Sequence, residues 1–238
     1  DKVWDKHKSI KQLEPILDIY EDELPKVSII TPTYNKRKFF KLALRNFEKT
    51  DYPKDKIEWI IVDDGEDKIK DLIPKKNNII YIETEKKSIG EKRNIACEKA
   101  QGEFIVCMDD DDYYVPQSVK FRIGNLIHLN KNVVACSSLG LLDINKIISN
   151  VNISSYSVGY EYRIMEHTMG FRKSHWENNK FLDTSIGEGK NLIDKDINDL
   201  EDIHWEQIGI SLKHYNNTNQ RMAISGKTNG SHFNINDE

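Results

Sequence analysis

Four consecutive carboxylates, Asp109, Asp110, Asp111 and Asp112, follow the apolar run Phe104–Met108 directly and precede Tyr113-Tyr114-Val115-Pro116. Side by side at a strand end, four like charges repel one another and destabilise the fold unless something positive offsets them. A hard divalent cation is the natural partner, because Mg2+ and Mn2+ take oxygen ligands and keep places for water and phosphate oxygens. One or two protein carboxylates then suffice, and the others are left to hold hydroxyl groups or to order water. The bland alternative is a solvated acidic turn, but the strand before the run and the Tyr-Tyr-x-Pro after it place it at a crevice. The spacing of an EF-hand calcium loop is absent.

The elements that must hold such a run can be read from apolar spacing. Val27–Thr31, closed by Pro32, reads as a buried strand rich in β-branched residues. Phe39, Phe40, Ala43, Leu44 and Phe47 give one apolar face to a helix over Lys36–Lys49. Ile57–Val62 is a second strand, ending at Asp63-Asp64-Gly65, and Asn78–Ile82 a third. A helix over Ser88–Ala100 has Ser88 as N-cap and Glu91 three residues on as its capping-box partner. Glu103–Met108 is the strand before the aspartates, Pro116–Leu129 a helix with Pro in its first turn, and Asn132–Ser137 a further strand. This alternation over 26–137 predicts a Rossmann-like, mostly parallel sheet flanked by helices. Ligands of such sheets lie outside the carboxyl ends of the strands, where the three polar clusters of this chain should converge. Residues 138–238 are less regular, with turns at Asn145, Gly159, Gly170, Gly187 and Gly226, and are expected to form a second wall of the site.

The bulk numbers fit one α/β domain. The chain has 238 residues, 38% hydrophobic and 31% charged, and a net charge of −4. No Pro/Gly/Ser-rich linker divides it, so residues 1–25 are expected to be an N-terminal extension and 26–238 a single domain. The charge balance argues against a nucleic-acid partner. Cys97, Cys107 and Cys136 are odd in number and lie in apolar segments, as buried free thiols in a reducing compartment would. The opening residues DKVWDKHKSI have no apolar signal core, and nothing approaches the ~20 apolar residues of a membrane span. A cytoplasmic location is the expectation. The sequence also opens without Met, as a piece of a longer chain would.

Four segments together, KVSIITPTYNK (26–36), WIIVDDG (59–65), GEKRN with AQGEFI (90–105) and the aspartate run, closely resemble glycosyltransferase family 2. Each piece alone is weak; their order and spacing over about residues 26–130 carry the resemblance. It implies the GT-A fold, with residues 26–137 as the nucleotide-sugar-binding half and 138–238 as the acceptor and catalytic-base half. It implies that Pro32, Thr33 and Tyr34 line a nucleobase pocket and that Asp64 accepts a hydrogen bond from the base. Gly90 and Arg93 match the family's Gly…Arg-Asn element, with Asn94 in support. Asp109 and Asp110 are expected at ribose and sugar, Asp111 as the direct ligand of Mn2+ or Mg2+, with Asp109 beside it. Asp112 is expected to brace the loop or bind through water. Plainer readings exist: Tyr34 as a packing aromatic, Asp63 and Asp64 as turn caps, Arg93 paired to a carboxylate on its own helix.

The activity implied is inverting transfer of a sugar from a nucleoside-diphosphate sugar, a UDP-sugar first, to the hydroxyl of a glycan or other acceptor. Inverting transfer needs a carboxylate to take the acceptor's proton. The family supplies it from a Glu-Asp element, matched most closely here by FLDTSIGEGKNL (181–192). Glu188 holds the Glu position, and Gly189 replaces the usual Asp. Glu188 is the expected base, with Asp183, Glu201 and Asp202 as competitors. In GFRKSHWE (170–177), Trp176 has two readings, a platform for a sugar ring or a core residue. His214, after the short apolar strand Ile208–Leu212, is preferred over His232 as a C-terminal metal ligand. Arg221 and Lys227 are candidates to neutralise the diphosphate, and Asn216 begins an Asn-x-Thr sequon.

Two rivals remain. A sugar nucleotidyltransferase on a related fold would need a Gly-rich basic loop after the first strand, and TPTYNK has no glycine. A non-catalytic nucleotide-sugar-binding module would keep the aspartates and lose the base, which the Gly189 departure would permit.

Overall fold

The computed structural model describes residues 23–153, 162–193, 197–215 and 217. The N-terminal residues 1–22 and the candidates Asn216, Arg221, Lys227 and His232 lie outside them, as do the turns at Gly159 and Gly226. Eleven strands are described, in chain order β1 (Val27–Thr33), β2 (Ile57–Asp63), β3 (Ile79–Glu83), β4 (Phe104–Cys107), β5 (Tyr113–Tyr114), β6 (Val133–Cys136), β7 (Ser138–Asp143), β8 (Ile148–Ile153), β9 (Met165–Arg172), β10 (Leu200–Asp202) and β11 (Gly209–Lys213). The helices are α1 (Phe40–Lys49), α2 (Ile89–Lys99), α3 (Ser118–His128), α4 (Lys173–Asn178) and α5 (Lys190–Ile193), with three short 3-10 turns besides. None of these helices is long and apolar enough to cross a membrane.

The main sheet has seven strands in the order β10-β6-β9-β4-β1-β2-β3. All its pairs are parallel except those of β9, which runs antiparallel between β4 and β6. Both faces are covered, and this is why the strands read as unbroken apolar runs. Ile29, Trp59, Ile61 and Val106 point into a core with Phe40, Phe47 and Phe121 of α1 and α3. Their neighbours Ile30, Ile60, Ile105 and Cys107 point into a second core with Ala96 and Cys97 of α2. The three cysteines are free and buried.

Strand β1 does not stop at Pro32 as its sequence suggests; it pairs with β2 as far as Thr33 opposite Asp63. The reason is the alternation of strand hydrogen bonds. The Ile30 carbonyl accepts from Met108 on the β4 side, and the Thr33 carbonyl accepts from Asp64 on the β2 side. Pro32 therefore turns its missing N–H toward β4, whose strand has ended at Cys107. The helix expected from Pro116 starts two residues later, at Ser118. The capping box of α2 is present in both directions, Ser88 accepting from the Glu91 N–H and Glu91 from the Ser88 N–H.

The second half is more regular than its sequence suggests. It contributes β9 to the middle of the main sheet and builds a second sheet, β5-β11-β7-β8. Strand β5, immediately after the aspartates, is stitched there to β11, Tyr114 opposite Gly209 and Tyr113 opposite Ile210. The aspartate loop is thus clamped between the two sheets.

Candidate active site

The loop after β4 turns its four aspartates in different directions. Asp109 keeps a side-chain exposure of 26% and pairs with Arg93 at 3.0 Å. Asp110 is buried; burial and the neighbouring Asp111 charge push its carboxyl well above the ordinary range. Asp111 Oδ2 meets the Lys36 ammonium and, at 3.1 Å, His214 Nε2. Burial alone would raise Asp111, but the His214 hydrogen bond and the Lys36 charge outweigh it and hold this carboxyl below the ordinary range. Asp112 braces the loop: its Oδ1 accepts from the Ser211 hydroxyl at 2.7 Å and from the Leu212 N–H at 2.9 Å on β11. Its Oδ2 faces His167 Nε2 at 3.6 Å.

A cavity of about 330 Å3 opens beside this loop, within the size range of small-ligand sites. Pro32, Tyr34, Asp109, Asp110 and Asp111 reach it from the strand ends and loops of the main sheet, Arg93 from α2, and Glu188 from the second half of the chain. These seven residues, chosen from sequence, come together. Asp183, Glu201 and Asp202 lie outside its lining; Asp183 accepts from Ser88, and Asp202 from Ser137. Among the lining residues that went unnoticed in the sequence are the charged or titratable Lys36, Lys92, Glu166 and His167.

Arg93 is the hub of the floor. It is 2% exposed and donates to Asp109 at 3.0 Å and to Glu188 at 3.2 Å, so one guanidinium fixes a carboxylate from each half of the chain. Glu166 stands close by, and burial followed by the Glu188 charge pushes its carboxyl up to about 7. A Cβ on Gly189 would lie 2.8 Å from Glu166 Cγ, so the Glu166 stem fills the room that a side chain at 189 would need. Gly90 works by packing: a Cβ there would sit 1.8 Å from the Leu182 carbonyl oxygen. That closeness lets α2 abut the segment carrying Glu188. Asn94 supports the same junction through Phe181 and through the Trp176 indole N–H at 2.9 Å. Trp176, 2% exposed, is a core residue and not a sugar platform.

At the other end, Tyr34 carries the Lys86 ammonium over its ring, 2.9 Å from the centroid. Thr33 is buried, and its carbonyl accepts from Lys92 Nζ at 3.0 Å. The Asp64 side chain is fully covered, accepting from Lys92 Nζ at 2.6 Å and from the Lys87 N–H at 2.9 Å. Asp63 caps its turn, accepting from Gly65, Ile69 and Tyr81.

Among the described residues, one group of side chains has the chemistry and spacing of a metal site. Asp109, Asp112 and His167 each offer a donor atom, all within 4.8 Å of one another. Two carboxylates and an imidazole suit a divalent ion such as Mn2+. Of the ligands chosen from sequence, Asp109 belongs to this group, while Asp111 and His214 pair with each other beside it. The alternation of direction along the loop separates Asp111 from Asp109, which spacing alone does not disclose.

Residues 28–179 match the family described as glycosyl transferase family 2. Poly(ribitol-phosphate) beta-N-acetylglucosaminyltransferase TarS of Staphylococcus aureus is 35% identical over 101 residues, which are 40% of this chain and 18% of that protein. A dolichyl N-acetyl-alpha-D-glucosaminyl phosphate 3-beta-D-2,3-diacetamido-2,3-dideoxy-beta-D-glucuronosyltransferase of Methanococcus voltae is 30% identical over 142 residues, 56% of this chain and 44% of that protein. The solved structure of S. aureus TarS 1-349 superposes with a TM-score of 0.62 at 19% identity, covering 79% of this chain and 60% of that one. It has also been solved with UDP and with UDP-GlcNAc. The mannosyltransferase PcManGT from Pyrobaculum calidifontis, in complex with GDP-Man and Mn2+, gives a TM-score of 0.59 at 18% identity, covering 86% of this chain and 63% of that one. The chain therefore spans less than two thirds of each of these relatives. The likeness of architecture is that of the GT-A fold.

Proposed function

From the premise that the chain belongs to glycosyl transferase family 2, we propose that it moves a sugar from a nucleoside-diphosphate sugar to an acceptor hydroxyl, with inversion at the anomeric carbon. The observation that carries this reading is the single cavity that gathers Asp109–Asp111, Arg93 and Glu188. A UDP-sugar is the preferred donor, in keeping with the UDP and UDP-GlcNAc complexes of TarS; a GDP-sugar is the runner-up.

Glu188 takes the proton of the acceptor hydroxyl as its oxygen bonds to the anomeric carbon and the bond to the diphosphate breaks. Arg93 holds that carboxylate and ties it to Asp109, keeping base and donor loop in fixed register. Tyr34 and Pro32 bound the nucleobase end, and Asp110 faces ribose and sugar. Asp64 and Thr33 act there through Lys92, which they hold, and Gly90 through the packing it permits. Asp109, with Asp112 and His167, would hold Mn2+ or Mg2+, and Asp111 and His214 flank them. A bound ion supplies positive charge against the leaving diphosphate.

Incubation with Mn2+ and UDP-GlcNAc, and in parallel with other UDP-, GDP- and TDP-sugars, tests this through release of the nucleoside diphosphate. Release stimulated by hydroxyl acceptors and absent in Glu188→Gln supports it. Tight donor binding with no release under any condition would instead favour a binding module, the rival that Gly189 permits.

A further inference from the structure

Strands β4 and β9 carry the two sides of the cation cluster, yet their ladder ends before reaching it. Pairing runs through Phe104 with Arg172, Ile105 with Phe171 and Val106 with Gly170. Asp109 lies three residues past the last β4 partner, and His167 three residues before the last β9 partner. Beyond the ladder, side chains of neighbouring elements hold the two strands together. The buried Arg122 guanidinium donates to the Cys107 carbonyl at 2.8 Å and to the Met169 carbonyl at 3.2 Å. Further out, the Tyr114 hydroxyl accepts from the Asp109 N–H at 2.9 Å and donates to the His167 carbonyl at 3.1 Å.

That hydroxyl has one arrangement open to it. An amide N–H can only donate and a carbonyl can only accept, so the phenol proton must point at His167 while its oxygen receives Asp109. The residue itself is fixed: it is 3% exposed, its N–H donates to Asn46 Oδ1 at 3.3 Å, and its strand pairs with β11. Strand β11 also holds Asp112, through Ser211 and Leu212. Tyr114 thus touches the backbone of two members of the cluster and shares a strand pair with the anchor of the third. Packing alone would be served by phenylalanine; the hydroxyl adds the link.

We infer that Tyr114 is a positioning residue, whose hydroxyl sets the separation of Asp109 and His167 and so tunes the affinity of the Asp109–Asp112–His167 cluster for a divalent cation. The inference rests on the reading of that cluster as the cation site, and not on which sugar is transferred. Outer contacts that orient ligands typically change metal affinity about 10–100-fold.

The test compares Tyr114→Phe with Tyr52→Phe, which removes a similar hydroxyl bond, to the Pro25 carbonyl at 2.7 Å, outside the site. Mn2+ affinity is measured by calorimetry without nucleotide, and thermal unfolding in EDTA. The expected result is Mn2+ binding at least ~10-fold weaker in Tyr114→Phe and unchanged in Tyr52→Phe, whatever each does to the melting temperature. Binding by Tyr114→Phe within about twofold of wild type, well short of the expected ligand-orienting effect, would overturn the inference and leave the cation site standing. A wild type that binds no Mn2+ would overturn both. If Tyr114→Phe does not fold, amide exchange of the wild type decides: Mn2+ must slow the Asp109 N–H, and an unchanged rate there counts against the link.

Discussion

Replacing Arg93 with methionine keeps much of the buried stem and removes the guanidinium that joins Asp109 to Glu188. Glu188 suffers more, because its side chain is 5% exposed against 26% for Asp109, which is more accessible to solvent. Removing one partner of a buried ion pair costs ~3–5 kcal/mol, chiefly the penalty of the charge left behind. With Asp109 partly relieved by water, the lower end applies, about 3 kcal/mol. For a chain of this length each kcal/mol moves the melting temperature by ~2–4 °C, so a fall of about 6–12 °C is expected in EDTA. The reasoning also fixes the sign of a double-mutant cycle. Glu188→Gln in the Arg93→Met background removes the orphaned charge and should recover at least ~1 kcal/mol, an interaction within the range for touching residues. Thermal and denaturant unfolding of the four proteins measures this. A loss under ~1 kcal/mol for Arg93→Met, or strict additivity in the cycle, would show that Arg93 does not bind the two halves of the site together.

Three further outcomes follow from the same geometry. Glu188→Gln should lower turnover by at least ~100-fold with nucleotide affinity little changed; equal loss of nucleotide binding would remove Glu188 from the role of base. Glu166, whose carboxyl is pushed up to about 7, holds its proton in the folded state at pH values where the unfolded chain has lost it. The penalty is absent below about 4, grows as pH rises through the ordinary glutamate value toward 7, and is complete above it. Glu166→Gln should therefore gain ~1–3 kcal/mol relative to wild type between pH 5 and pH 8 in EDTA, and a pH-independent difference would refute the shift. Gly90→Ala sets a Cβ against a backbone carbonyl that cannot rotate away; denaturant unfolding should show a loss of about 3 kcal/mol or more, and a neutral substitution would show that α2 can slide.

The main-sheet side of the site was legible because its signals are local. The aspartates follow an apolar strand directly, Ser88 and Glu91 are three residues apart, and Ile60-Ile61-Val62 reads as buried because both sheet faces are covered. What went unread is non-local. Strand β9 escaped because Glu166, His167 and Thr168 interrupt its apolar run with side chains that serve the cavity and the sheet junction. Lys36 and Lys92 look like surface lysines in sequence and are buried because Asp111 and Asp64 compensate their charge. The family resemblance implies Asp111 as the direct metal ligand, but the turn of the loop sends it toward Lys36 and His214 and brings Asp112 and His167 to Asp109.

The measurement that bears most directly on the account is calorimetric titration of the wild type and Asp109→Ala with UDP, GDP and TDP, each with and without Mn2+. One of the three should bind in a Mn2+-dependent manner, and that binding should disappear in Asp109→Ala. Binding of none of them, or binding indifferent to both Mn2+ and Asp109, would contradict the assignment of this cavity as a metal-assisted nucleotide-sugar site.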